Sequence, residues 1–315
     1  MIRPDPHSPY TVFESFILAL YEPPLRRSAT HARMKKVLSE FGEVCPTLAD
    51  VDALAVPRWL KLHQERAAIT NFGMLSTFRT ACNLGVHILP GSPFVSRPPR
   101  RWFPETDLDE EPRRKFHTEE EVTRILARAD AEADADGSTW RARRLRAFAY
   151  SLIFLGARRN EILGMRVEDV VFRDRLIHIR PNERRKLKTR ASKAILPIPP
   201  KLLEVLAWWT PQTRSEWLFP GQRRRGPWLH AAGGYKPSES LKELGERAGV
   251  RNFTALSARH TFATLAEGWG WGEAMIQRFL RHTTPITQKG YRHQHLAQMA
   301  VAAERIAFGP LSKTA

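Results

Sequence analysis

The stretch Gly156-Ala157-Arg158-Arg159-Asn160-Glu161-Ile162-Leu163 follows directly on an apolar run from Phe148 to Leu155. Such a run reads as a buried helix that stops at Gly156, since glycine takes a helix-ending turn without strain. A new helix then starts near Arg159. Two further segments belong with this one: Ser257-Ala258-Arg259-His260-Thr261-Phe262-Ala263-Thr264, and Leu280-Arg281-His282 with Tyr291 nine residues on. On one straight helix, nine residues are roughly two and a half turns, which would set His282 and Tyr291 on opposite sides. Pro285 disfavours helix at Thr284, which can then cap a second helix, so the chain can bend and bring both groups to one place.

Outward from this core the pattern is mostly helical. Phe13, Phe16, Ile17, Leu20 and Tyr21 recur at helical spacing, as do Met34, Val37, Leu38 and Phe41, with Ser28 and Thr30 able to cap the second group. Helices are expected over Pro57–Glu65 and Asn71–Leu84, completing a small all-helical bundle. Pro90, Gly91, Pro93, Pro98, Pro99, Pro104 and Pro112 then interrupt any helix. Thr118-Glu119-Glu120-Glu121, ahead of Val122, Ile125 and Leu126, opens the next helix with acids in its first turn. Val171, Leu176, Ile177 and Ile179 around an Asp174-Arg175 turn, followed by Ile195, Leu196 and Ile198, read as a small β-ribbon. The fold class is mainly α with a small β-ribbon. The expected domains are 1–103, ending in a Pro- and Arg-rich stretch, and 116–315, joined by a linker at 104–115.

A chain of 315 residues suits two domains, and a hydrophobic fraction of 42% can fill their cores. Fifty Lys and Arg against thirty-three Asp and Glu leave a net charge of +17, which favours a polyanionic partner without specifying any chemistry. Arg26, Arg27, Arg33, Lys35 and Lys36 crowd one region of the N-terminal part. Cys45 and Cys82 are the only cysteines, too few for a disulfide framework or a thiolate-rich zinc site, and suit packing roles in a reducing cytoplasm. The start lacks a basic segment followed by an apolar stretch, and no apolar run is long enough to span a bilayer, so no membrane association is expected.

In order and spacing, the three segments together resemble the tyrosine recombinases, the phage integrase family. The resemblance covers nearly the whole chain, the N-terminal part looking like the family's helical core-binding domain and Phe116 onward like its mixed α/β catalytic domain. It implies that Arg158, in a G-x-R-x-x-E pattern, is the first catalytic arginine and that Glu161 is the acid bracing the site. It implies further that Lys188 is the ribbon lysine, Arg259 the second arginine, His282 the late histidine and Tyr291 the nucleophile. Double-stranded DNA is then the partner, gripped by two domains closing as a clamp. The reaction would run on a tetrameric synapse, with the tail from His295 to Ile306 passed to a neighbouring subunit. No separate arm-site reader ahead of the core-binding part is expected.

The implied chemistry suits these residue types. Attack on a phosphodiester builds negative charge in a five-coordinate transition state, and two guanidiniums can hold it with paired hydrogen bonds while staying protonated. No metal, cofactor or ATP is needed, because a 3′-phosphotyrosine keeps an ester that a DNA hydroxyl can attack in reverse. A phenol with an ordinary pKa of about 10 is a poor nucleophile until cations favour its phenolate or a base takes its proton. Lys188, among other cations, can protonate the leaving 5′-oxygen.

Two positions depart from the family pattern. Leu256 stands where the family usually has the first histidine of its H-x-x-R box, and loss of such an acid-base group slows a step by about 10²- to 10⁴-fold. Either Lys188, His282 or His260 shares the work, or the protein binds specific DNA without cutting it. Arg281 replaces the small glycine usual before His282. Taken singly, Arg158 and Arg259 would be surface or salt-bridge residues, Tyr291 a packed aromatic and Arg223-Arg224-Arg225 a solvated loop. Arg190 and the N-terminal basic group are candidate DNA contacts. His293 and His295, two apart on an expected helix, would diverge rather than share a metal.

Overall fold

A computed structural model describes residues 5–23, 28–52, 54–85, 116–185, 193–222, 226–228, 236–281 and 292–306, with the backbone alone at 68–69 and 292–297. The chain divides into two compact units, residues 1–112 and 113–315.

In the first unit, helical periodicity becomes four helices: α1 (Tyr10–Ala19), α2 (Ser28–Gly42), α3 (Ala55–Leu62) and α4 (Ala68–Leu84). Phe13, Ile17, Met34, Val37, Leu38 and Phe41 point into one core with Trp59, Leu75 and Phe78. Leu20, expected on the apolar face, is instead 40% exposed, because α1 ends at Ala19 and Leu20 lies in the turn beyond. Ser28 and Thr30 lie inside α2 rather than ahead of it. The third helix starts two residues before Pro57, since a proline in the first turn breaks no intrahelical bond. The fourth starts at Ala68, so Asn71 falls within it, buried, where its Nδ2 donates to the His63 carbonyl at 3.0 Å. Both cysteines are buried packing residues, and burial pushes the Cys45 thiol up to about 12.

The second unit is built around a helix whose C-terminal half is buried on all sides. Its helices are α5 (Glu119–Asp134), α6 (Trp140–Leu155), α7 (Arg159–Leu163), α8 (Pro200–Thr213), α9 (Pro237–Arg247), α10 (Ala255–Gly268), α11 (Glu273–Phe279) and α12 (Arg292–Ala303). Thr118 caps α5, donating its backbone N–H to Glu121 Oε2 at 2.8 Å and accepting from the Glu121 N–H at 3.3 Å, as the Thr-x-x-Glu spacing predicts. In α6 every residue from Ala147 to Leu155 is buried, and it packs against α5, α8 and α10. Its one buried cation, Arg144, lies 3.7 Å from the Trp228 ring centroid and 4.8 Å from that of Trp140, and donates to the Pro220 carbonyl at 2.7 Å. The aromatic faces and the carbonyl replace part of the water it loses.

The expected ribbon is a three-stranded antiparallel sheet of β1 (Val170–Val171), β2 (Leu176–Ile179) and β3 (Ala194–Pro197). Ile177 pairs with Leu196, turning both side chains into the core together with Ile179. Ile195, one residue out of phase, is 45% exposed, as the two-residue period of a strand requires. Near the C-terminus, α12 packs against β3, and Met299, Ala303 and Ile306 are buried in the core of the same unit. Among the described residues no helix is long and apolar enough to cross a membrane.

Gly156 caps α6 in the left-handed conformation, with φ of 50°. A Cβ there would lie 2.5 Å from Leu280 Cδ2 and 2.9 Å from Phe262 Cγ, so α10 and the end of α11 pack directly on its backbone. Gly156→Ala therefore combines a left-handed penalty of about 1–2 kcal/mol with overpacking of about 1–3 kcal/mol. Urea denaturation is expected to show a loss of about 2–5 kcal/mol, the sum of these two costs.

Candidate active site

The turn that ends α6 presents two groups. The Gly156 carbonyl faces α10, and Arg158 stands at the N-cap of α7. Glu161, at the third position of α7, reaches back to that cap: the Arg158 backbone N–H donates to Glu161 Oε2 at 2.9 Å, and Arg158 Nη1 donates to Oε1 at 2.9 Å. Glu161 is 3% exposed, whereas the Arg158 side chain keeps 32% of its surface open. The carboxylate thus takes one corner of the Arg158 guanidinium and leaves the rest of its donor fork to solvent.

Arg259 lies one turn into α10, whose start is fixed by Thr254 and Ser257 bonding each other's backbone N–H groups. Only 6% exposed, it donates Nη1 to the Gly156 carbonyl at 2.8 Å and Nη2 to the Leu280 carbonyl. One side chain thereby joins three chain segments, its partner Gly156 lying 103 residues away in sequence. Burial, then the nearby Arg281 and Arg158, push the Arg259 guanidinium down to about 9. An oxyanion placed against it would oppose that shift, because opposite charge favours the protonated form.

Arg281 completes the cluster. Its side chain is 1% exposed, donating Nη2 to Glu161 Oε2 at 2.9 Å and Nη1 to the Phe279 carbonyl at 2.6 Å. Burial alone would raise the Glu161 carboxyl, but Arg281 and the Arg158 contacts outweigh it and hold it below its ordinary value. Arg185, also buried, donates Nη1 to the Glu161 carbonyl at 2.5 Å and lies across Gly164, where a Cβ would meet the arginine's own Cβ at 2.6 Å. Asp169 faces Arg185 at 3.8 Å.

Of the residues singled out from sequence, Arg158, Glu161 and Arg259 converge. Leu256 is 64% exposed in the first turn of α10, and His260 is exposed one turn later. Lys188, Arg190, His282 and Tyr291 lie outside the described residues, as do Arg26, Arg27 and Arg223-Arg224-Arg225. In the first unit, Arg33 is exposed but spends Nη2 on the Gly73 carbonyl at 2.7 Å, Lys35 is exposed, and Lys36 approaches Glu40 at 3.9 Å. Sequence reasoning missed Arg185, which has no motif around it. It also missed His117, which is buried, donates its backbone N–H to Thr261 Oγ1 at 2.9 Å and places Nε2 3.0 Å from Ser257 Oγ. The four-residue spacing of Ser257 and Thr261 was the one signal for that anchor. Among the described residues no group of three or more His, Cys, Asp or Glu side chains is placed to hold a metal ion.

Residues 115–297 match the phage integrase family. The chain belongs to this family. As a phage integrase relative it shares its fold with several solved structures. A lambda integrase (75–356) dimer bound to a COC′ core site aligns at 17% identity and a TM-score of 0.65, covering 90% of this chain and 98% of that one. The Tn1549 transposon integrase in complex with transposon right end DNA aligns at 13% identity and a TM-score of 0.66, covering 92% and 97%. The XerH site-specific recombinase bound to its difH substrate aligns at 15% identity and a TM-score of 0.59, covering 87% and 79%. The comparison with curated proteins gave no match.

Removing the charge of Glu161 strands the Arg281 guanidinium without its counter-ion. Glu161→Gln is expected to cost about 3–5 kcal/mol in chemical denaturation at neutral pH, the usual penalty for breaking a buried pair. Because the folded-state carboxyl is depressed, the wild type's advantage is full above its ordinary value of 4.5 and is lost as pH falls through the lower folded value. Stability curves of wild type and variant should converge in acid.

Proposed function

We propose that this integrase-family chain is a site-specific DNA recombinase that breaks and rejoins strands through a 3′-phosphotyrosyl intermediate on Tyr291, without metal or ATP. The observation that carries this reading is the convergence of Arg158 and Arg259 on one spot, with guanidinium donors beyond those spent on Glu161, Gly156 and Leu280. In this mechanism both arginines grip the nonbridging oxygens of the scissile phosphate. Tyr291, as the phenolate that the surrounding cations favour, attacks phosphorus and breaks its bond to the 5′-oxygen, which leaves with a proton from Lys188, while His282 hydrogen-bonds the charge that builds. A DNA 5′-hydroxyl then attacks the phosphotyrosine, returns its proton to Lys188 and releases the Tyr291 phenolate.

Both units grip duplex DNA in this proposal, the helical part through its basic residues and residues 116–315 as the catalytic domain, with 104–115 as the linker. The protein works in the cytoplasm. The solved lambda integrase tetramer on a Holliday junction, at 17% identity, suggests the assembly. Handing α12 to a neighbour would exchange the buried contacts of Met299, Ala303 and Ile306 for equivalent ones on the next subunit.

A second reading is a family member that binds specific DNA but does not cut it. It is favoured by Leu256, which holds an exposed place one turn from Arg259 where no acid or base stands. A duplex selected from random DNA by rounds of binding to the intact protein separates the two. The recombinase reading expects a covalent protein–DNA adduct that survives denaturant and disappears in Tyr291→Phe; the absence of any adduct on tightly bound duplex supports the second. If Leu256 slows the chemistry, Leu256→His is expected to raise the adduct rate by up to about 10²-fold. Binding should also weaken steeply with salt, since Lys and Arg release counter-ions from phosphates.

A further inference from the structure

Arg281 is a large charged residue at a position built for a small neutral one. Its φ is 58°, in the left-handed region that glycine enters freely and other residues enter under strain. It nevertheless carries its guanidinium fully inside the unit, where Nη2 meets Glu161 Oε2 at 2.9 Å across 120 residues of sequence. Its Nε is buried without a hydrogen-bond partner. Backbone strain and an orphaned donor are both costs, so the side chain is kept there at the expense of local stability.

What this arrangement supplies is position and charge. Leu280, one residue earlier, accepts from Arg259, while Arg281 itself is held by Glu161, so the end of α11 is fixed to α10 and α7 at consecutive residues. Arg158, on the other oxygen of Glu161, belongs to the same rigid unit. Glu161 neutralises one of these three guanidiniums, leaving two positive charges uncompensated around a site that opens to solvent through Arg158. Glycine in place of Arg281 would leave one. At low effective dielectric a fixed charge acts over several ångströms without contact.

We propose that Arg281 is a positioning residue that holds Arg158 through their shared Glu161 and Arg259 through the adjacent Leu280 carbonyl, fixing both in one anion-binding geometry, and that it adds a buried positive charge to that site. It does not touch the phosphate. The inference rests on the recombinase reading only for the identity of the anion as a DNA phosphodiester.

The test compares wild type with Arg281→Met, of similar length but neutral, Arg281→Lys, which keeps the charge, and Arg281→Gly, which relaxes the turn and serves should the Met variant fail to fold. All are used as full chains at a temperature where circular dichroism shows them folded. Two readouts are taken: the affinity for inorganic sulfate by thermal shift, and the single-turnover rate of adduct formation at saturating selected duplex. Arg281→Met is expected to weaken sulfate affinity about fivefold and slow adduct formation about tenfold, with duplex affinity changed less than about threefold. Arg281→Lys should recover part of both losses. Normal sulfate affinity or a normal adduct rate in the folded neutral variant overturns the proposal. If the wild type forms no adduct, the recombinase reading fails, and sulfate affinity alone decides the role of Arg281.

Discussion

A buried carboxylate cannot stay charged unless its lone pairs are met, and Glu161 meets this requirement by drawing the candidate site together around itself. One oxygen takes the Arg158 side chain, the other takes the Arg158 backbone and Arg281, and its own carbonyl takes Arg185. Each donor comes from a different stretch: the turn after α6, the end of α11 and the segment after β2. Desolvation makes every unmet bond here costly, so the pairing is cooperative: if one donor leaves, the remaining charges lose compensation as well.

The scaffold beneath this hub is set by two backbone positions with positive φ. Gly156 lets α6 stop abruptly, so that its carbonyl is free to receive Arg259 while Leu280 and Phe262 close over it. Arg281 makes the corresponding turn after α11 and adds a side chain that ties it down. Behind them the C-terminal half of α6, buried throughout, gives the turn a packed base, and His117 fastens the first turns of α10 through Ser257 and Thr261. The arginines are therefore presented by packed helices, with their guanidiniums fixed by backbone carbonyls and the Glu161 carboxylate.

Electrostatics acts on two scales in this protein. The formal charge of +17 draws the chain toward polyanions without choosing among them. On the small scale, the cluster at Glu161 holds guanidiniums fixed in direction as well as in charge. Leu256, one turn before Arg259, is an exposed apolar side chain on the same helix. The solved integrases and recombinases keep the same fold at 13–17% identity, so the architecture tolerates wide exchange of side chains.

Much of the fold was legible because it is local: the helical spacing around Phe13 and Val37, the Thr118-to-Glu121 cap, the all-apolar run ended by Gly156 and the two-residue alternation through Ile177 each follow from short-range sterics and burial. Helix starts at Ala55 and Ala68 were less legible, since Pro57 and Asn71 fit a first turn as well as a boundary. The sequence by itself, through its resemblance to the integrase family, pointed to Arg158, Glu161 and Arg259 as one constellation, because the order and spacing of its short segments carry that resemblance. Only the tertiary structure decided that Glu161 is shared by Arg158 and Arg281, that Arg185 and His117 serve as anchors, and that Arg259 bonds to the backbone of two distant segments. Those contacts span up to 144 residues and end on carbonyls and buried side chains. A backbone carbonyl has no signature in a sequence, so partners of that kind become visible only once the chain has folded.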